Sequence, residues 1–239
     1  MVPQRGASLG LGRVGWECGT AEQEHTVQYE PMRSLEAEPG RIFTAWRSPG
    51  RFTKNPDMVA LPSGRLLAVY ADTDKHWAEA IIRLTLIESC DRGRTWGTPQ
   101  VVVESDRSER EPHWVTPRLS RLRDARLALL CDLDDFEHCH ESQEPGIYLW
   151  WSSDDGRTWS EPVNTGVHGI EPGRVTELPD GRLAINAHMT YADVQKVGEF
   201  VCYSDDGGAT WGEPVIIAKD AVHNYCEGHI VPLDDGSLV

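Results

Sequence analysis

Ser89-Cys-Asp91-Arg-Gly93-Arg-Thr95-Trp96 is the first of three copies of one pattern. The others are Ser152-Ser-Asp154-Asp-Gly156-Arg-Thr158-Trp159 and Ser204-Asp-Asp206-Gly-Gly208-Ala-Thr210-Trp211. Each reads Ser-x-Asp-x-Gly-x-Thr-Trp, with a proline within the next three residues. Five positions are fixed, and the intervals from Asp91 to Asp154 and from Asp154 to Asp206 are 63 and 52 residues, the period of a supersecondary repeat. The chemistry is that of a self-stapled turn: Ser and Asp side chains bond nearby backbone N–H groups, Gly supplies a positive φ, and Trp pins the turn to a sheet. The fixed residues therefore read as structural staples rather than catalytic groups.

Working outward from the turns, short apolar runs recur in one order. The first unit has Met58–Leu61, a Pro-Ser-Gly64 turn, Leu66–Tyr70, a polar loop, Ala80–Ile87, the first repeated turn and Gln100–Val103. The second has Leu119–Leu122, Leu127–Cys131, Ile147–Trp151 and Pro162-Val163. The third has Val175–Leu178, Leu183–Ala187, Glu199–Tyr203 and Val215–Ala218, and a fourth opens at Ile230–Leu233. Such runs between turn signals are strands. Four-stranded antiparallel units at this period predict an all-β fold of β-propeller blades. Three blades and the start of a fourth make an incomplete ring, whose open edges invite self-association. Residues 51–239 are assigned to this domain. Residues 1–50, Gly-rich and then acidic, read as a poorly ordered leader without assigned function.

With 38 acidic and 23 basic residues the net charge is −15, which argues against nucleic acid or an anionic membrane surface as partner. No apolar run approaches a membrane helix, and residues 1–20 lack the apolar core of a signal peptide, so the expected location is cytoplasmic. The six cysteines form no Cys-x-x-Cys pair and are expected to be free, mostly buried thiols. The stretch Cys131–His140 gathers two His, two Cys and several carboxylates but meets no familiar zinc spacing, so no metal or other cofactor is assigned.

Strand parity sorts the loops. In a four-stranded blade the first turn and the repeated turn share one end, and the entrance to the inner strand shares the other with the loop between strands two and three. Aligned on Gly64, Ala125, Gly181 and Gly236, the residues seven positions earlier are Asp57, Arg118, Arg174 and His229. Beside them stand Lys54 and Glu227, with Asp72, Asp74, His76 and His188 in loops at the same end. Cations and carboxylates converging on one mouth suit an acidic sugar or similar anion.

The three turns and the strand pattern resemble the Asp-box repeats of the sialidase (neuraminidase) superfamily over about residues 52–239. That resemblance implies a six-bladed propeller and an exo-α-sialidase-like glycoside hydrolase that releases terminal sialic acid or a related acidic sugar from glycoconjugates. In that family an Arg-Ile-Pro at the first inner strand binds the substrate carboxylate; here the place reads Lys54-Asn55-Pro56, and Lys lacks the bidentate fork. The resemblance makes Asp74 the acid/base, with Asp72 second, and Glu227, in Asn224-Tyr-Cys-Glu227-Gly-His-Ile, the base to a tyrosine nucleophile. Lys54, Asp57, Arg118, Arg174 and His229 are the candidate substrate-binding residues. The family's tyrosine and two further arginines match no position here, so the chain is expected to hold only part of the catalytic set. The alternatives are a non-catalytic glycan-binding or scaffold propeller and a hydrolase of a different sugar.

Overall fold

The computed structural model describes residue 40 and residues 44–78, 80–134, 144–233 and 235–239; a compact unit spans Thr44–Val239. It is all-β, built of antiparallel sheets. The first is a meander of β1 (Phe52–Ala60), β2 (Leu66–Thr73), β3 (Ile81–Ser89) and β4 (Gln100–Asp106). In the second, β5 (His113–Trp114) and β6 (Arg118–Arg121) both pair with β7 (Leu127–Asp134), which continues to β8 (Gly146–Ser152) and β9 (Val163–Asn164). The third runs β10 (Thr176–Glu177), β11 (Leu183–Tyr191), β12 (Lys196–Ser204) and β13 (Val215–Ala218). Beyond it, Val231 and Val239 exchange both backbone hydrogen bonds, at 2.8 and 3.0 Å, opening a further hairpin.

The strands fall where the apolar runs placed them, and several run on past them, β2 to Thr73, β7 to Asp134 and β11 to Tyr191. β1 begins at Phe52, because a bulge between Lys54 and Asp57 lets the chain rejoin the ladder after Pro56, which has no N–H to give. The inner strand of the second sheet is interrupted at residues 115–117. Asp132 fills that gap: its carbonyl accepts from Val115 N–H at 3.1 Å and its Oδ1 from Thr116 N–H at 2.7 Å.

The core lies between sheets. On β7, Leu127, Leu129, Cys131 and Leu133 pack toward the first sheet, against Leu67, Val69, Ala71, Leu84 and Leu86. Ala128 and Leu130 point the other way, into a second cluster with Leu183, Ile185, Ala187 and Phe200. A strand buried on both faces reads as a continuous apolar run instead of an alternating one, as Leu127–Leu133 does. Of the described cysteines, Cys131 and Cys202 are buried, whereas Cys90 and Cys226 are exposed, contrary to the expectation of mostly buried thiols; all four are free. Cys90 lies inside a repeated turn, where the side chain between Ser and Asp faces solvent. Among the described residues no helix is long and apolar enough to cross a membrane.

Candidate functional site

The strand registers define two ends. Leu66, Leu127 and Leu183, which open the second strand of each sheet, pair with Ser89, Ser152 and Ser204, which open the repeated turns. The turns thus lie at one end of every sheet. Phe52 pairs with Thr73 and Tyr191 with Lys196 at the other.

At the turn end the stapling is the same three times. Asp Oδ1 accepts from the Ser hydroxyl at 2.8 Å in all three, while Oδ2 accepts from the Thr hydroxyl at 2.6, 2.7 and 2.6 Å. The Ser Oγ accepts in turn from the Gly N–H. These bonds, led by that from Thr, hold Asp91, Asp154 and Asp206 down at a pKa of about 2. The glycines have φ of +85°, +81° and +95°. Trp96 closes its own turn by donating Nε1–H to Gly93 O at 3.2 Å; Trp159 and Trp211 instead pack against the intersheet clusters. A second staple escaped the sequence reading. Arg65, just after the first turn, donates to Asp155 O in the next sheet's repeated turn, and Arg126 donates to the equivalent Gly207 O at 3.4 Å while lying 4.3 Å over the Trp151 ring. The signal was present: Arg65, Arg126 and Arg182 hold the same place in three repeats.

At the opposite end the first sheet carries Lys54, Asp74, His76 and Trp77. Lys54 is buried, donates Nζ–H to His76 O at 2.9 Å and lies 5.8 Å from the centre of the Trp77 ring. Its ammonium is therefore tied into the loop that bears Asp74 rather than held out to solvent. Asp74 is exposed and accepts from Ala80 N–H at 3.4 Å, which closes that loop. Asp72 is buried and bonded to Arg51 and Ser48, and Arg51 also reaches Asp72 O and Ile81 O at 2.9 Å each. This ion pair takes Asp72 out of the acid/base candidates. His113 is buried beneath Trp77, and burial, then Arg107 and Lys54, push its pKa down to about 4.

On the inner strands, the candidate substrate-binding residues Asp57 and Arg174 meet each other. Arg174 Nε lies 2.9 Å from Asp57 Oδ2, its Nη2 bonds Oδ1, and Nη2 also donates to Met58 O at 3.0 Å. Asp57 Oδ2 further accepts from Leu119 N–H at 2.9 Å, so one carboxylate joins three sheets. Asp57 is thus nearly buried within this network, while the Arg174 side chain stays about half exposed. Arg118 donates Nε–H to Pro172 O at 3.0 Å. His229 is exposed, with no hydrogen-bond partner among the described residues. Inner-strand residues Met58–Ala60, Leu119–Arg121, Arg174–Thr176 and Ile230–Pro232 line a cavity of about 410 Å³.

Glu227 follows the third sheet, exposed and with φ of +59°. Its N–H donates to His188 Nδ1 at 3.2 Å. That bond leaves the His188 proton on Nε2, 3.7 Å from Glu171 Oε2. Asp132 does the same office one sheet earlier, accepting Glu171 N–H at 2.9 Å. Lys54 and Asp74 thus belong to the loop end of the first sheet, Glu227 is bonded to His188 of the third, and Asp57 is grouped with Arg174. Residues 135–143, most of the Cys131–His140 stretch, lie outside the described residues, as does Glu79. Among the described residues no three His, Cys, Asp or Glu side chains gather to hold a metal ion.

No family model matches the sequence. Solved structures do. A protein of unknown function from Dyadobacter fermentans DSM 18053 aligns with a TM-score of 0.63 at 16% identity, over 81% of this chain and 62% of that one. A leech intramolecular trans-sialidase, complexed with 2,7-anhydro-Neu5Ac, gives 0.59 at 14% identity, over 78% and 46%. The Hadza microbial sialidase Hz136 gives 0.56 at 19%, over 74% and 39%. The chain spans less than two thirds of the length of each. At these identities the likeness is one of fold: this chain has the all-β, antiparallel-sheet architecture of sialidase-type propellers.

Proposed function

We propose that this chain is a sialidase-like glycoside hydrolase domain of exo-α-sialidase type, its sheets being blades of a six-bladed ring. The substrate class is a glycan ending in sialic acid or a related acidic sugar. The observation that supports the reading is the hydrogen bond from Glu227 N–H to His188 on β11, a strand whose end away from the repeated turns corresponds to the end at which the Asp74 loop leaves the first sheet. In this reading the chain supplies part of the catalytic set: Asp74 protonates the leaving oxygen and then activates water, and Glu227 draws the proton from a tyrosine nucleophile that no position of this chain matches, one of the exceptions to the paired-carboxylate scheme. Lys54 supplies positive charge behind the Asp74 loop.

A second reading, a non-catalytic glycan-binding propeller, has its own support. Arg174 is engaged by Asp57, and the Lys54 ammonium by His76 O, so neither presents an open cationic fork to a carboxylate. Hydrolysis of a fluorogenic α-sialoside by a form of the protein that carries the complete catalytic set separates the two. A hydrolase loses about 10²–10⁴-fold in turnover in Asp74→Asn and in Glu227→Gln. Binding of a sialylated oligosaccharide without turnover selects the second reading, and turnover unmoved by both substitutions removes these two residues from the chemistry. Cleavage confined to other glycosides moves the substrate class.

A further inference from the structure

The three sheets are built to one register, which makes a departure in one of them visible. On β11, Asn186 pairs with Val201 and His188 with Glu199. The same places hold Val69 with Leu86 and Ala71 with Leu84 in the first sheet, and Leu130 with Leu149 and Asp132 with Ile147 in the second. Asn186 thus stands where the repeat has Val69 and Leu130, and Glu199 where it has Leu84 and Ile147. Both are buried, at 1% and 6% exposure. Asn186 Nδ2 bonds Glu199 Oε1 at 2.7 Å, leaving Asn186 Oδ1 and Glu199 Oε2 buried without a partner among the described residues. Such a pair costs stability relative to the apolar residues that do the same job twice in this chain.

What the pair holds is the turn at Glu227. Asn186 Nδ2 also donates to Gly228 O at 2.7 Å. Gly228 lies against the Glu199 carboxyl so closely that a Cβ there would be 3.0 Å from Cδ and Oε1. With His188 on the Glu227 N–H, three side chains of one sheet face grip two consecutive residues, the first of them in the left-handed region, where a glutamate is strained. We propose that Asn186 and Glu199 are positioning residues that, with His188, fix Glu227 at the mouth: the equivalent Glu171 turn is held by Asp132 with Leu130 and Ile147 in their places, and those apolar residues cannot make the bond to the following carbonyl that Asn186 makes to Gly228 O. This rests on the reading of Glu227 given above for its catalytic consequence, but not for the grip itself.

The test copies the first sheet into the third: Asn186→Val with Glu199→Leu, alongside Glu199→Gln. The double variant is expected to raise Tm by about 2–4 °C, the shift about 1 kcal/mol makes at this chain length. Amide-exchange protection at Glu227 and Gly228 falls, and, in the form carrying the complete catalytic set, α-sialoside kcat/KM drops about 100-fold, as for a misplaced catalytic group. Glu199→Gln keeps the acceptor for Asn186 and falls between wild type and the double variant. A lower Tm in the double variant, or unchanged protection at Glu227, overturns the proposal, because the pair is then ordinary structure. If the wild-type form carrying the complete catalytic set shows no turnover the hydrolase reading fails, while exchange and melting of this chain still decide the grip. Turnover in wild type that the double variant retains in full overturns the positioning role alone.

Discussion

Replacing glycine by alanine at two places separates what the repeated turn does for itself from what it does between sheets. Gly64, in a first turn, and Gly156, in a repeated turn, have nearly the same φ, +83° and +81°. A Cβ at Gly64 meets nothing within 4 Å, whereas at Gly156 it would lie 2.6 Å from Leu67 Cδ2 of the neighbouring sheet and 3.4 Å from Leu127 Cδ1. An L-residue in the left-handed region costs about 1–2 kcal/mol, and the stiffer unfolded chain returns about 0.4–1 kcal/mol. Gly64→Ala is therefore expected to lose about 1 kcal/mol. Gly156→Ala bears the same loss plus about 1–3 kcal/mol of overpacking, or roughly 2–4 kcal/mol in all. Urea unfolding at pH 7 measures both, and their difference is the intersheet contribution. Gly93→Ala, whose Cβ would meet Leu66 of its own sheet at 3.3 Å, falls between. Equal losses at Gly64 and Gly156 would refute the claim that the turn is wedged between sheets.

Ala125 occupies the first-turn place of Gly64 and Gly181 with φ of +73°, so Ala125→Gly is expected to stabilise by up to about 1 kcal/mol, read as a higher urea midpoint at constant m. Asp91, Asp154 and Asp206, held at about 2, lie below the unfolded value near about 3.9; their contribution is present above that pH and is lost as pH falls toward 2, and Thr158→Val should shrink the loss in a Tm-against-pH series. His113 stays neutral down to about 4 while the unfolded chain takes up that proton near about 6.5, so stability should decline as pH falls from 6.5 to 4. His113→Phe should flatten that slope, and an unchanged slope would remove His113 as its cause.

Much of this fold was legible because its decisive chemistry is local. Every bond of a repeated turn, Ser to Gly, Asp to Ser and Asp to Thr, closes within eight residues, so Ser-x-Asp-x-Gly-x-Thr-Trp specifies its own geometry. Strand parity then fixed which end each loop occupies. The charged residues nearer the axis were another matter. Aligning the repeats put Asp57 and Arg174 at equivalent ring positions, but equivalent positions around an axis face one another, and opposite charges there pair. Those two are separated by 117 positions, and no local pattern marks the partnership. Lys54 was similarly read as open to a ligand because its burial depends on the loop at residues 74–78 folding back over it.

The repeat supplies a better instrument for finding function than the motif does. Where three copies agree, as at Arg65, Arg126 and Arg182, the shared residue serves what the copies share: in the first two it staples one sheet to the next turn. Where one copy departs toward polarity in a buried place, the departure serves something that copy alone does. Aligning β2, β7 and β11 gives Val69, Leu130 and Asn186; aligning β3, β8 and β12 gives Leu84, Ile147 and Glu199. Both departures fall in one sheet, touch each other, and lie under the one turn that carries Glu227. The other two copies also bury a carboxylate, but Asp72 meets Arg51 and Asp132 meets two backbone N–H groups, whereas Glu199 bonds Asn186 and leaves Oε2 without a partner among the described residues, so the cost of burying it is borne for the site above it.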